Sequence, residues 1–569
     1  MAYLTEFSGL DTSHAAAILN ACKGVETLMP IGMAFLVDSF VGEYCMLLFS
    51  SLSYSFGMIY LAMSTLSKFG GYCGEKRPNC IHAAQFVMFY ISLLFIAIGV
   101  SGHKASLRSF LEQQMPSQTE SDHQDGEKRK KPRKLRRFFR KHFAKILLMS
   151  IASTPISLTP SWSVKFGIPA IGMVVATILF MCRSDSYKYA NKSQGSPLTV
   201  VSRVFVASAS KMFCPLPRDA NQLHENRRNS QYVPHTHGLR FLDKAAIVVP
   251  AQTLEQQEQN RWTLCSVTEV EEKKIFIRMI PMWIIFIMCG IVSSVGDTYF
   301  LEQVWNLDDT VGIVKAPVFM LLVLQDIAKF MFATVTKKLT KNGSRKYAAP
   351  IGMIIAMLFS VVCCITAAKA ETMRLDVIKK YWLHNSKNDI PLSMFWLLPQ
   401  FLLLGALDGI SHNLLGDREH GFSNIACFFN GGVPDSISSY LLIVSDSVFG
   451  FGIWGGVISV YMVDKIKPSW FQKTLNESHL DNYYWTLAVL SSINLVFSIL
   501  VAIWYINQRC SLADPHSSQR PDGFSSTLYQ IAGIIKNYFI AAVQHFFDGG
   551  IIPKSINATE EQATKEQAK

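Results

Sequence analysis

Long apolar runs that still carry isolated charges constrain this chain more than any other feature. Leu28–Val37, Leu52–Ala62, Phe86–Val100, Ile168–Met181, Ile280–Val295, Val318–Leu324, Ile351–Thr366, Met394–Leu407, Leu441–Val463 and Leu487–Ile506 are the centres of such runs. A helix of about 20 apolar residues crosses the roughly 30 Å hydrocarbon core of a bilayer. With no water there to satisfy backbone N–H and C=O groups, many such runs imply a helix bundle. Lys23, Glu26, Asp408 and Asp446 lie within or beside these runs. A charge there is costly unless it faces a protein interior or water, so the combination points to a transporter.

Composition agrees. The chain has 569 residues, of which 50% are hydrophobic and only 17% charged, with a mean hydropathy of +0.22. A soluble chain carries about 25% charged residues. The net charge of +12 does not indicate nucleic-acid binding, because the basic residues sit between apolar runs rather than across a folded domain. The absence of a P-loop, a Gly-x-Ser-x-Gly and a His-Glu-x-x-His speaks against an enzyme. No cofactor is expected. His235 and His237 are read as loop residues, since two histidines at that spacing are weak evidence for a metal. Cys73 and Cys80 share one short loop, and a disulfide between them is open if that loop is extracytosolic.

Apolar length predicts about eleven spans, at 14–37, 44–66, 80–103, 143–160, 164–182, 276–300, 311–336, 347–368, 393–415, 436–463 and 483–507. Connections 105–142 (with the basic run Lys128–Lys141), 183–275 and 337–346 are rich in Lys and Arg. All three fall on one side if every span crosses, and the positive-inside rule makes that side cytosolic. Met1 is then outside and the tail cytosolic. Residues 1–182 form an N-terminal helix bundle, 183–275 a cytosolic connector and 276–508 a C-terminal six-helix bundle. Residues 509–569 are a cytosolic tail, with an amphipathic helix expected over 526–547 and disorder over 553–569. Asn476-Glu-Ser478 is a glycosylation sequon in an extracytosolic loop. Two unequal bundles joined by a long connector suggest an all-α major facilitator fold lacking one helix.

Several stretches resemble the plant nitrate- and peptide-transporter family, the plant branch of the proton-dependent oligopeptide transporters. They are Leu239–Ala246, Trp262–Glu272, Arg278–Trp283, Pro391–Asp408 and Asn482–Leu495, with weaker support from Gly167–Met173 and Gly32–Gly42. The resemblance implies twelve helices around a central cavity that opens alternately to each side, with uptake of a small solute coupled to proton entry. Tyr3-Leu4-Thr5 matches only the end of the family's first helix, so its Glu-x-x-Glu-Arg motif is not expected in this chain. Lys104 matches the family's cavity-facing lysine on the fourth helix, and Asp408 matches the substrate-binding acidic position on the tenth.

Departures from the family are informative. The gate loop reads Asp38-Ser-Phe-Val-Gly42-Glu43, with an acid where the family has Arg. Ser293 stands where a nitrate-transporting relative has His, and Phe138–Phe143 replaces the usual fifth-helix pattern. About ten extra residues, including Asp417–His420, follow the Asp408 segment. Lys23 and Glu26, and likewise Asp326 and Lys329, are three apart and so are expected to pair on one helical face. The sharper alternative makes Glu26 a partner for Lys104. Asp446 is the candidate for an additional cavity carboxylate. The expected function is carriage of a small solute (nitrate, peptide or another metabolite) by alternating access, with proton coupling left open. The other reading is a non-transporting regulator that binds another membrane protein. The expected location is the plasma or vacuolar membrane.

Overall fold

The computed structural model describes chiefly residues 3–7, 9–66, 83–114, 161–189, 197–217, 235–236, 238–249, 262–305, 319–342, 348–381, 390–415, 435–472 and 474–513. The expected span 143–160 apart from Thr159, the Cys73–Cys80 loop, the basic run 128–141, His237 and the tail segments 526–547 and 553–569 lie outside the described residues.

Among the described residues, nine helices are long and apolar enough to cross a membrane. Four belong to the N-terminal bundle: α1 (Thr12–Val41), α2 (Glu43–Ser64), α3 (Ala83–Gln114) and α4 (Trp162–Cys182). A shorter helix, α5 (Pro197–Ser210), lies in the connector. The C-terminal bundle contains α6 (Val267–Trp305), α7 (Phe319–Asn342), α8 (Ala348–Tyr381), α9 (Met394–Leu415), α10 (Asp435–Ile466) and α11 (Leu480–Ala513). α7 is not one of these nine. It is nevertheless a full-length helix packed against α9, at the place of the expected span 311–336 but displaced toward 342.

Local sequence sets the ends and bends. Pro30 opens the second segment of α1, and a π-turn over Val37–Val41 closes it at Gly42, whose φ of +78° favours glycine. α6 begins in a capping box: Ser266 Oγ accepts from the Glu269 N–H at 3.2 Å, and Glu269 Oε2 accepts from the Ser266 N–H at 3.2 Å. Near its other end a π-turn over Gly296–Phe300 interrupts α6 around Asp297. Two short strand pairs, Leu307–Asp308 with Ile390–Ser393 and Thr310–Val311 with Val314–Lys315, lie beyond α6.

Lipid offers helices no hydrophobic reason to associate, so close packing and polar contacts must hold them. Gly405 and Gly409, four apart on α9, serve this purpose. A Cβ at Gly405 would meet the Gln325 carbonyl oxygen at 2.3 Å, and one at Gly409 would meet the Lys329 carbonyl oxygen at 2.2 Å. The α7 and α9 backbones therefore touch on either side of Asp408. The two bundles meet along α1 and α10, where Gly24 lies against the Trp454 ring and Gly450 against Thr27 and Leu28.

The described connector is tied to the start of α6 by a buried ionic cluster. Lys274 Nζ lies 2.6 Å from Asp243 Oδ1 and 2.7 Å from Glu271 Oε1, and donates to the Thr236 carbonyl at 3.0 Å. Arg278 donates to Thr236 Oγ1 at 2.8 Å. Three of the family-like stretches, Leu239–Ala246, Trp262–Glu272 and Arg278–Trp283, thus converge on one structural joint. His235, read from sequence as a loop residue, belongs to it: its Nε2 lies 3.1 Å from Asp243 Oδ2. His235, Asp243 and Glu271 bring ligand atoms within 4.8 Å of one another, but the Lys274 ammonium already sits against both carboxylates.

The sequon is also built into the fold. Asn476 Oδ1 accepts from Arg374 Nη1 at 2.8 Å, and Ser478 is buried with its hydroxyl bonded to the Thr474 carbonyl at 2.9 Å. Arg374, fully buried, also pairs with Glu371 at 2.7 Å. A glycan attaches through Asn476 Nδ2, which leaves the Oδ1 contact with Arg374 in place.

Candidate functional site

A cavity of about 340 Å³ lies between the bundles, lined by α1, α6, α7, α9 and α10. Its wall carries Lys23 and Lys329 against Asp297, Asp326, Asp408 and Asp446, together with Ser293, Gln325 and His412. Of the residues singled out in the sequence, Lys23, Asp408 and Asp446 meet here. A second cavity of about 700 Å³ opens toward the end of the molecule that carries the connector, and is lined by Tyr54, His103, Lys104, Arg108 and Glu112. Asp446 lines both cavities. The carboxylate expected on the α10 span is thus placed at the junction of two spaces.

Two helical-spacing expectations fail in the same way. Lys23 forms its ion pair with Asp297 of α6, across the bundle interface, rather than with Glu26. Lys329 pairs with Asp408 of α9 at 3.6 Å rather than with Asp326. A side chain three residues away shares a helical face, but the neighbouring helix presents a carboxylate directly opposite. The π-turn supplies that carboxylate in the first case, and the glycine contact between α7 and α9 supplies it in the second. Beside the first bridge, Asn20 Nδ2 donates to Thr298 Oγ1 at 3.4 Å.

Asp408 is 4% exposed. Its Oδ2 faces Lys329, the Ser293 side chain lies beside it, and its Oδ1 has no hydrogen-bond partner among the described residues. Gln325 is also buried and its Oε1 is likewise without a partner there. Two buried acceptors on the wall of one cavity suit a ligand that brings N–H donors, because an unsatisfied buried acceptor costs about 1–3 kcal/mol.

Lys104 lies next to Glu26. Its Nζ donates to the Glu26 backbone carbonyl at 3.1 Å, and its charge acts on the Glu26 carboxylate. Glu26 Oε1 in turn lies 3.8 Å from Cys22 Sγ. Neighbouring His103 bonds through Nε2 to Ser51 Oγ at 3.2 Å and through Nδ1 to the Gly99 carbonyl at 3.0 Å.

At the gate loop Asp38 accepts from the Tyr440 hydroxyl on α10. This contact joins the bundles at the connector end of α1. Gly42 and Glu43 line a cavity of about 260 Å³ beside it, with Lys188 and Tyr189 on the facing side. Asp297 and Tyr440 were not singled out in the sequence. Asp297 had a readable signal, an acid inside the apolar run that ends near Phe300; Tyr440 had none.

Residues 44–419 match the POT family. Protein NRT1/PTR family 5.5 of Arabidopsis thaliana is 35% identical over 514 residues, which cover 89% of this chain and 92% of that protein. Protein NRT1/PTR family 5.6 of the same plant is 31% identical over 540 residues, 91% of this chain and 87% of the relative. Among solved structures, the POT family transporter PepTSo is 16% identical with a TM-score of 0.51, covering 87% of this chain and 88% of that one. A POT family transporter in complex with 5-aminolevulinic acid gives a TM-score of 0.51 at 11% identity, over 87% of this chain and 89% of that one. The fold is that of the POT transporters.

Proposed function

The chain belongs to the POT family and is a secondary transporter of small solutes; from that premise we propose that it carries an amino-bearing solute in symport with protons. One observation carries this reading. Two cross-helix ion pairs, Lys23–Asp297 and Lys329–Asp408, share the wall of a cavity that also holds two buried acceptor atoms, Asp408 Oδ1 and Gln325 Oε1, without partners among the described residues. Lining side chains amount to two ammoniums against four carboxylates, apart from His412. Such a wall attracts an ammonium and repels nitrate. Asp408 Oδ1 and Gln325 Oε1 accept from the solute's amino group, and Ser293 leaves no cationic side chain at that position for an anion.

Lys23–Asp297 joins the bundles directly, so adding a proton to Asp297 removes one of the charges that hold them together. The solute competes with Lys329 for Asp408, and the proton competes with Lys23 for Asp297. Their joint arrival favours reorientation, which is the requirement for symport. The test is uptake into proteoliposomes with and without an inward proton gradient. It compares an amino acid and a dipeptide with nitrate. Gradient-stimulated uptake of an amino-bearing solute, reduced about tenfold or more by Asp408→Asn, is the expected result; that factor corresponds to about 1.4 kcal/mol. Nitrate uptake indifferent to Asp408→Asn would overturn the substrate class. A correctly inserted protein inactive on a wide solute panel would favour the non-transporting regulator.

A further inference from the structure

The wall of the central cavity is more acidic than its own ammoniums can neutralise. Lys23 is taken by Asp297 and Lys329 by Asp408. Asp326, exposed on the same wall, makes no ion pair or hydrogen bond among the described residues, although the charges of Lys329 and Asp297 act on it. Both wall ammoniums are therefore engaged, and at least one carboxylate is left over. The nearby cations Lys104 and Arg108 line the other cavity, where Arg108 pairs with Glu112 at 2.7 Å. His412 is stacked face to face on Phe449, with ring centroids 4.4 Å apart.

Asp408 Oδ1 and Gln325 Oε1, on side chains more than nine-tenths buried, add an independent demand. Both atoms accept and neither donates, so one ammonium with several N–H bonds can satisfy the two together. The rest of the wall offers Leu322, Phe449 and Ile453, an apolar surface for an alkyl stem. A carboxylate at the far end of such a stem would meet Asp326 with no ammonium left to pair it, and like charges brought together repel. A solute with an ammonium and a carboxylate also leaves the acidic excess unchanged, whereas one carrying only ammonium groups reduces it.

We propose that the solute is an organic cation, an alkyl amine without a carboxylate, held by its ammonium on Asp408 Oδ1 and Gln325 Oε1 and selected at its far end by Asp326. This rests on the reading of the chain as a carrier of amino-bearing solutes and narrows it to amines without a compensating negative charge. Asp326 is the specificity-determining residue: its carboxylate turns away an amino acid or a peptide and accepts a second ammonium. Lys329, three residues further along α7, stays with Asp408 Oδ2 and is not available to a solute carboxylate.

The test reconstitutes the full chain in proteoliposomes under an inward proton gradient and measures uptake of putrescine, γ-aminobutyrate and nitrate at equal concentration. Putrescine and γ-aminobutyrate share an amine and an alkyl stem, and differ in that a carboxylate replaces one aminomethyl group. Putrescine is expected to enter about tenfold faster or more. Asp326→Asn is expected to narrow that ratio to about threefold, and Asp326→Lys to reverse its order. Uptake of γ-aminobutyrate equal to or faster than that of putrescine would overturn this inference and leave the carriage of amino-bearing solutes standing. A ratio indifferent to both substitutions would overturn the assignment of Asp326. Uptake of nitrate without either amine would overturn both readings, as would a correctly inserted protein that carries none of the three.

Discussion

Lys23 shows at the scale of one residue how a charge within a membrane span acquires its role. An ammonium there needs a partner, and the partner decides whether it is a local anchor or a link between bundles. Its ion pair with Asp297 makes it a link. Lys23→Met and Asp297→Asn should therefore each lower uptake about tenfold, the effect of about 1.4 kcal/mol. The charge swap Lys23→Asp with Asp297→Lys should recover part of it. Unchanged uptake in both single variants would remove the bridge from the transport cycle. Glu26, freed from pairing with Lys23 and placed beside Lys104, has a different expectation. Glu26→Gln should alter the pH profile of uptake, and a superimposable profile would leave Glu26 a local packing residue.

Elements hold these charges in place through backbone proximity and buried ion pairs. Gly409 lets α9 approach α7 so closely that the Asp408 carboxylate reaches Lys329. Overpacking such a contact costs about 1–3 kcal/mol, so Gly409→Leu should lower the thermal midpoint of the protein in detergent along with its uptake. The connector clamp depends on one ammonium between two buried carboxylates. Removing a partner from a buried ion pair costs about 3–5 kcal/mol. Lys274→Met should consequently release the connector from α6, seen as faster tryptic cleavage within 183–275. Cleavage at the wild-type rate would mean that the surrounding apolar contacts suffice.

Across the whole molecule, α1 touches the other bundle at several levels: Lys23–Asp297 on α6, and Gly24 on Trp454, Gly450 on Thr27 and Asp38–Tyr440 on α10. Alternating access requires some of these to separate while others persist. The close glycine contacts are suited to persist as a pivot, and the polar contacts are suited to break. A hydrogen bond to a charged group contributes about 1.5–3 kcal/mol. Tyr440→Phe should shift the population toward an opening at the connector end by about tenfold or more. Spin-label distances between the connector ends of α1 and α10 should lengthen. Unchanged distances would show that Asp38–Tyr440 does not latch that end.

The membrane helices were legible in the amino-acid order alone, because an apolar run of sufficient length has few other stable forms, and family-like runs such as Pro391–Asp408 marked the fold. That order also marked Lys23, Asp408 and Asp446, since a charge in an apolar span is conspicuous wherever it points. Its partners were another matter. Spacing along one helix favoured Lys23 with Glu26 and Asp326 with Lys329, whereas tertiary structure paired Lys23 with Asp297 and Lys329 with Asp408. Helical periodicity states which residues share a face, but not which helix covers it. That is decided by the π-turn at Asp297, the glycine contacts of α9 and the packing of α1 on α10. The same reason hid Tyr440, 402 positions from Asp38, and the buried Arg203 of α5, whose partner Glu269 is brought to it only in the folded connector.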